Sequence, residues 1–132
     1  MDRRFYIKHR VTSDEIDALG HVNNVCYIQW VQHAAEKHWN VLSKNHAFNS
    51  YVWVVIRHEI DYLASAKIDD EITIRTWVGD SYGVKSERFV EILKDGKILV
   101  KATTIWCLLD KNSMKVMRIP AEVLDVVNGL VG

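Results

Sequence analysis

The sequence has little of what disulfide-rich, membrane-spanning or nucleic-acid-binding proteins depend on. Its 132 residues include two cysteines and one proline, and two cysteines are too few for a disulfide framework. Lys plus Arg total 17 and Asp plus Glu total 17, so no net field attracts nucleic acid or an anionic membrane. An anionic ligand must therefore meet a local group of basic residues.

Long apolar runs are also missing. The segment from Met1 to Phe5 contains Asp2, Arg3 and Arg4 and lacks the apolar run of a signal peptide. Nowhere are there the roughly 18 uninterrupted apolar residues of a membrane span. Cys26 and Cys107 lie in apolar stretches, where free cysteine usually behaves as a small buried hydrophobe. We expect a cytoplasmic protein that binds neither membranes nor nucleic acid.

A long amphipathic helix is the strongest local pattern. Apolar residues recur at helical spacing from Asn23 to Ser43, and Asn23 is a plausible N-cap. Trp30 lies on the otherwise polar face with Gln29, His33 and Lys37, so we expect an exposed indole at a contact surface. The apolar face comprises Asn24, Tyr27, Ile28, Val31, Ala34, Ala35, Trp39 and Leu42.

The rest of the chain has the patterns of β-strands. Residues 3–11 are strand-like, and the apolar run Tyr51–Ile56 is typical of a buried strand that continues to Tyr62. Further strands are predicted at 72–78, 84–93 and 98–109. Asp95-Gly96 between the last two favours a type I′ hairpin.

The C-terminal part completes the prediction. A turn at 110–113, a short strand to Ile119 and a last helix near Ala121–Val127, opened by Pro120, follow in order. With 48% hydrophobic residues, the chain can form one core, so we expect a single domain over 1–132. The fold class is α+β, an antiparallel sheet wrapped around one long helix.

The segment from Ile16 to Tyr27 carries the chemistry. It places Asp17 and His21 in a loop before the N-terminus of the helix. Unpaired N–H groups and the helix dipole at that end can hold a developing negative charge. This combination suits acyl transfer.

The same segment resembles a known family. Asp17, three residues, His21-Val22-Asn23-Asn24, two residues and Tyr27 resemble the 4-hydroxybenzoyl-CoA thioesterase family of hot-dog proteins, with similarity to acyl-ACP thioesterases. The strand order, the segments 61–63 and 69–72, and the ending 119–122 extend the resemblance over nearly the whole chain. It implies the hot-dog fold and hydrolysis of acyl thioesters.

The resemblance also implies site residues. Asp17 matches the catalytic acid, a nucleophile or general base; Asn24 falls where a backbone N–H polarises the carbonyl; and His21 matches a histidine that assists. Tyr27 matches the aromatic residue that follows in the family, and we expect Asn23 and Tyr27 to be substrate-binding residues. Leu19 stands where the plant enzymes have Asn, and Ser65-Ala66 where they have Glu-Cys, so a scheme centred on one carboxylate fits better.

Structural roles compete with each assignment. Asp17 alone could cap its loop, and His21 could brace it. Asn23 could be only the helix cap, and Tyr27 a core residue. His58 and Glu59 could form an acid/base pair, but we interpret them as strand residues near the mouth of the site.

Other chemistries find little support. The six histidines show no i, i+4 pair and no Cys partner at ligand spacing, so we expect no metal and no cofactor. No Gly-x-Ser-x-Gly elbow occurs. The substrate is expected to be acyl-CoA, or alternatively acyl-ACP, with CoA phosphates meeting Arg57, Lys85 and Arg88 at the pocket mouth.

The resemblance implies an assembly as well. Sites of this family are completed across a dimer interface, and an open sheet edge favours pairing with another copy. We therefore expect a homodimer or a homotetramer. A hot-dog module that binds acyl groups without turnover remains an alternative.

Overall fold

A computed structural model describes residues 3–128 of the chain. In chain order the elements are β1 (Phe5–Arg10), α1 (Asn24–Leu42), β2 (Tyr51–Tyr62), β3 (Glu71–Tyr82), β4 (Lys85–Lys94), β5 (Lys97–Asp110) and α2 (Ala121–Val127), with a short 3₁₀ helix at Ser13–Glu15 between β1 and α1. The α+β prediction is confirmed.

Five antiparallel strands form one sheet in the order β1-β3-β4-β5-β2. The β4–β5 hairpin turns at Asp95 (φ 50°) and Gly96 (φ 78°). Both φ angles are positive, as a type I′ turn requires, so the predicted Asp-Gly hairpin is confirmed. The hairpin fixes the pairing of β4, the central strand of the sheet, with the strand that follows it in sequence.

Helix α1 lies across the inner face of the sheet, mainly over β3 and β4. Its predicted bounds are confirmed to within one residue at each end. Ala34 is fully buried on the face towards the sheet, and Ile72, Ile92 and Val100 from three strands are also buried in this core. The inner faces of β5 and β2 receive much less cover from the helix.

The exposed position predicted for Trp30 is wrong. Its side chain is only 8% exposed, and its ring packs edge-on against Tyr27, with 5.3 Å between the ring centroids. Trp30 Nε1–H donates to Glu15 Oε2 at 3.2 Å. The residue therefore braces the loop before α1, and the apolar stripe of the helix is wider than its sequence pattern indicates.

Strand β2 lies at an edge of the sheet and pairs only with β5 among the described strands. Its apolar stretch, residues 51–56, was predicted to be buried, but Tyr51–Val55 are only half-buried and Ile56 is 51% exposed. The register with β5 shifts between Val55 and Arg57, so Ile56 bulges from the ladder. The buried-strand prediction is thus wrong for this segment.

The segment between β5 and α2 differs from the prediction of a short strand up to Ile119. A single bridge joins Val116 to Leu109, with no further ladder. Asp110 Oδ1 accepts from the N–H groups of Asn112 and Ser113, both at 2.9 Å, so the predicted turn is present. Helix α2 begins after Pro120, as predicted. No helix within residues 3–128 is long and apolar enough to cross a membrane.

Candidate active site

The loop that precedes α1 is closed on itself by backbone hydrogen bonds. Asp17 N–H donates to the His21 carbonyl at 2.8 Å, and Gly20 N–H donates to the Asp17 carbonyl at 3.1 Å. Gly20 has φ +79°, a conformation that other residues adopt only with strain. A bridge between Ile16 and Val22 holds the base of the loop. The chain therefore returns to the helix N-terminus within a few residues of Asp17.

The Asp17 carboxylate is half-buried, and its two oxygens differ. Oδ1 accepts from Leu19 N–H at 2.9 Å and from His21 N–H at 3.2 Å. Oδ2 accepts no hydrogen bond from any residue that the structure describes. One oxygen thus fixes the orientation of the side chain, while the other can contact a water molecule or a carbonyl carbon. The loop-capping role weighed from the sequence is present, and it leaves the second oxygen for chemistry.

The N-terminus of α1 presents one unpaired backbone donor. Asn23 Oδ1 accepts from Val25 N–H at 3.0 Å, and the Asn23 carbonyl accepts from Cys26 N–H at 2.9 Å. The predicted cap is confirmed. Asn24 N–H has no acceptor in the described part of the chain, and it lies at the positive end of the helix dipole. An oxyanion could occupy this position without displacing a protein group.

His21 contributes its backbone to the loop. Its N–H binds Asp17 Oδ1, and its side chain is half-exposed. Its ring nitrogens make no hydrogen bond with any residue between 3 and 128. The imidazole is therefore accessible beside Asp17, and its assisting role stays a prediction.

Glu15 anchors this loop, and sequence reasoning missed it. Its Oε1 accepts from Thr12 N–H at 2.8 Å, its Oε2 accepts from Trp30 Nε1–H, and both oxygens lie within 3.0 Å of His9 Nε2. Its carbonyl accepts from Asn23 N–H at 2.9 Å. Thr-x-x-Glu is a capping-box pattern, so Thr12 and Glu15 in the sequence could have predicted this structural role. The residue joins β1, the loop and α1.

Partial burial alone would raise the pKa of Glu15. Hydrogen bonds from Thr12 N–H and from the His9 ring outweigh this effect of burial, and they hold the pKa of Glu15 below its ordinary value of 4.5. Glu15 is therefore ionised at neutral pH, as its three donors require. This charge stabilises the approach of the chain to the helix.

Tyr27 belongs to the core. It is 2% exposed, and its hydroxyl accepts from Ala66 N–H at 2.8 Å. Burial raises the pKa of this phenol above its ordinary value of 10.0. The core role weighed from the sequence is confirmed. Because its hydroxyl is already occupied, Tyr27 supports the site by fixing Ala66 and the helix.

The three predicted phosphate-binding residues do not form one patch. Arg57 is exposed on β2 and forms an ion pair with Glu59 at 3.4 Å, and Lys85 is exposed at the start of β4. Arg88 is only 6% exposed and lies on the inner face of the sheet. Its predicted position at an exposed mouth is wrong, because alternation along β4 turns it towards the helix. His58 Nδ1 lies 2.9 Å from Thr104 Oγ1, and burial lowers the pKa of this histidine.

The two cysteines show no sign of activation. Cys107 is buried, Cys26 is half-buried, and burial raises the pKa of the Cys26 thiol above 9.0. Among residues 3–128, no group of three His, Cys, Asp or Glu side chains is arranged to hold a metal ion. The chemistry available at the loop is therefore that of Asp17, His21 and the helix N-terminus.

Comparisons with known proteins give a consistent result. The chain is 26% identical to the acyl-CoA thioesterase YbgC of Haemophilus influenzae over 127 residues, which is 93% of both chains. It is 28% identical to the chloroplastic acyl-[acyl-carrier-protein] hydrolase FATB3 of Cuphea viscosissima over 74 residues. That match covers 54% of this chain but only 18% of the plant protein.

The structure and the family model agree with these relatives. A predicted thioesterase from Bacillus stearothermophilus superposes with a TM-score of 0.86 at 19% identity, over 98% of this chain and 97% of that one. The likeness shows the hot-dog fold predicted from the sequence. The model of the thioesterase-like superfamily matches residues 4–127, and the chain therefore belongs to the thioesterase-like superfamily.

Proposed function

We propose that this chain hydrolyses acyl thioesters, with acyl-CoA as the substrate and the free acid and CoA as products. The observation that carries the proposal is the pairing of two unoccupied groups in one short segment. These are Oδ2 of Asp17, at the start of the loop, and the N–H of Asn24, at the start of α1. The first can attack or deprotonate, and the second can stabilise an oxyanion.

The reaction needs one addition and one elimination. The thioester oxygen lies against Asn24 N–H while Asp17 takes a proton from water, and the hydroxide oxygen bonds to the carbonyl carbon. The resulting tetrahedral oxyanion collapses, the C–S bond breaks, and the electron pair leaves with sulfur. The thiolate then takes the proton from Asp17, which forms the thiol and restores the carboxylate. The thiol is a good leaving group, because its pKa is about 8 to 9 on the cysteine scale.

A covalent route uses the same groups. Asp17 Oδ2 bonds to the carbonyl carbon, the thiolate leaves, and water then hydrolyses the mixed anhydride to release the acid and restore the carboxylate. His21 beside the loop can orient or deprotonate that water in either route. Asn23 shapes the site as the helix cap.

The choice of carrier rests on the relatives. The YbgC protein, described as an acyl-CoA thioesterase, aligns over nearly the full length of both chains. The match to the plant acyl-ACP hydrolase covers only a small part of that protein. Acyl-CoA is therefore the leading substrate and acyl-ACP the alternative, with Arg57 and Lys85 as the exposed bases available to CoA phosphates. The reaction and its substrate fit a cytoplasmic location.

A substrate panel tests the proposed function. The protein is incubated with acyl-CoAs of different chain length, with aromatic acyl-CoA and with acyl-ACP, and free thiol is followed with a thiol-reactive dye. We expect release of thiol well above the rate of the protein-free reaction, and faster release from CoA than from ACP thioesters. Tight binding of every thioester without release would instead identify an acyl-binding module and contradict the proposal.

We also propose that the chain works as a homodimer at least, with a tetramer as the larger alternative. The outer edge of β2 has no strand partner within the described residues, and Ile56, Tyr62 and Leu63 are 51%, 43% and 58% exposed. An unpaired edge next to exposed apolar side chains favours strand addition by another copy.

Light scattering tests the assembly. We expect at least a dimer at micromolar concentration, and Ile56→Asp should shift the equilibrium towards monomer because it places a charge beside the unpaired edge. Val116→Asp is the matched control, since Val116 is 58% exposed but lies outside β2. A wild-type protein that is active as a stable monomer would refute this proposal.

A further inference from the structure

A second candidate site lies far from Asp17, beneath the C-terminal half of α1. A cavity of about 330 Å³ opens there between the helix and the inner face of the sheet, next to Trp39, Trp53, Ser86, Arg88 and Trp106. Its helical lining residues, Ala35 to Asn40, are 11 to 16 residues beyond Asn24. At 1.5 Å per residue they lie roughly 17 to 24 Å along the axis from the helix N-terminus.

Arg88 supplies a buried positive charge to this cavity. It is 6% exposed, and its Nη1 donates to His38 Nδ1 at 2.8 Å and to Thr76 Oγ1 at 3.1 Å. Burial and then the charges of Arg88 and Arg3 lower the pKa of His38 to about 4, so both acceptors are neutral at pH 7. Burial lowers the pKa of Arg88 only to about 10, and it stays charged.

No carboxylate neutralises this guanidinium within the described part of the chain. Arg88 forms no ion pair there, and Glu36, which also lines the cavity, forms none either. A buried charge without a counter-ion is costly, and removal of a counter-ion from a buried pair is strongly destabilising. The charge therefore lacks a partner that a ligand could provide.

The free edge of Arg88 has the geometry for such a partner. Both hydrogen bonds use Nη1, and Nε and Nη2 donate to no residue between 3 and 128. These two nitrogens form the side of the guanidinium that binds both oxygens of a carboxylate at once. The indole Nε1–H of Trp106, a residue that lines the cavity, is another buried donor, and it has no acceptor among residues 3–128.

The walls indicate what the rest of the ligand is. Three of the five tryptophans of the chain line the cavity, together with Tyr51, Val52 and Val127. Such surfaces suit a flat or short apolar body, and a volume near 300 Å³ is at the lower end of small-molecule sites. The requirements are therefore one carboxylate and a small apolar group.

We propose that this cavity binds a small organic carboxylate, held by the Nε and Nη2 groups of Arg88 with its apolar body among Trp39, Trp53 and Trp106. The site does not depend on the proposed hydrolysis, because it uses other residues at the other end of α1. It differs from the loop in its chemistry: Arg88 recognises an anion, whereas Asp17 acts on a neutral carbonyl.

Calorimetric titration with phenylacetate and octanoate tests the site, with phenylacetamide and octanamide as neutral isosteres. We expect the acids to bind, to change the tryptophan fluorescence, and to bind at least about tenfold more tightly than the amides. Arg88→Met should weaken acid binding by at least about tenfold, and Arg88→Lys, which keeps the charge but loses the fork, should fall between. Exposed Arg118→Met should leave it unchanged.

Several results would overturn the proposal. Equal affinity for acids and amides, or for wild type and a folded Arg88→Met variant, would remove the role of the guanidinium. Absence of acid binding to the wild-type protein would also refute the proposal. Acid binding to Glu36→Gln but not to wild type would identify Glu36 as the counter-ion of Arg88 and would refute it equally. If wild type binds no acid and Arg88→Met no longer forms the dimer, the counter-charge of Arg88 comes from another copy of the chain, and the proposal is refuted.

A further experiment distinguishes two possible sources of the carboxylate that binds Arg88: a free acid, or the carboxylate at the far end of the acyl chain of a substrate. Dodecanedioyl-CoA and dodecanoyl-CoA are compared as substrates of wild type and Arg88→Met. A preference for the dicarboxylic thioester that disappears in the variant assigns the carboxylate to the substrate. Equal rates, together with retained binding of phenylacetate to wild type, assign it to a free acid.

Discussion

Replacement of Asp17 by Asn should lower kcat for an acyl-CoA by at least about 100-fold, with little change in KM or melting temperature. Asn keeps the shape of the side chain, and its amide oxygen can still accept from Leu19 N–H and His21 N–H in place of Oδ1. It removes the negative charge, so it can neither attack the carbonyl carbon nor take a proton from water. Steady-state kinetics and a thermal melt of the purified variant measure both effects.

A purely structural role for Asp17 gives a different result. Because the amide oxygen of Asn can still accept both loop hydrogen bonds, Asp17→Asn should then lower stability by at most about 1 kcal/mol and leave kcat nearly intact. Asn112→Ala, in the turn after β5, provides a matched exposed loop variant for the melt. A folded Asp17→Asn protein that keeps more than about half of wild-type kcat would falsify the mechanism proposed here.

His21→Ala separates the two parts of the loop. Its backbone N–H still reaches Asp17 Oδ1, so the variant removes the imidazole without removing the turn. A decrease in kcat as large as that of Asp17→Asn would make the histidine an essential partner. A decrease below about tenfold would limit its side chain to bracing the loop.

Local patterns predicted the elements that depend on near neighbours. The helix was expected at 23–43 and begins at Asn24, with Asn23 as its cap, because the periodicity and the capping residue are both contained in the segment. The Asp95-Gly96 turn and the Pro120 start of α2 are equally local. The acid, the histidine and the helix N-terminus could be placed together for the same reason.

The wrong predictions concern burial, that is, which side of a helix or strand is covered by elements distant in sequence. Trp30 falls on the polar face of the helix in the sequence pattern, but Glu15 from the preceding loop supplies its hydrogen bond. Tyr51–Val55 have the apolar pattern of a central strand, but β2 is an edge strand, because among the described strands it pairs only with β5. In the sequence Arg88 resembles an exposed basic residue, but the register of β4 directs its side chain towards His38. Each error depends on a distant contact.

Replacement of Glu15 by Ala tests how the loop is held. The carboxylate binds Thr12 N–H, Trp30 Nε1–H and the His9 ring, and its side chain is 15% exposed. Hydrogen bonds to charged groups contribute about 1.5 to 3 kcal/mol each and do not add fully. We expect Glu15→Ala to lower the free energy of unfolding by about 3 kcal/mol. Exposed Glu71→Ala, which removes a carboxylate from the start of β3, should change it by less than about 0.5 kcal/mol.

The effect of Glu15 should depend on pH in a defined direction. Because its pKa is lower in the folded protein than its ordinary value of 4.5, its ionised form stabilises the fold above that value. This contribution is lost as pH falls through the folded pKa. The difference in unfolding free energy between wild type and Glu15→Ala, measured by urea denaturation, should therefore be constant near pH 7 and shrink below about pH 4.5. A difference that stays the same down to pH 3, or that grows, would show that the charge of Glu15 does not hold the loop.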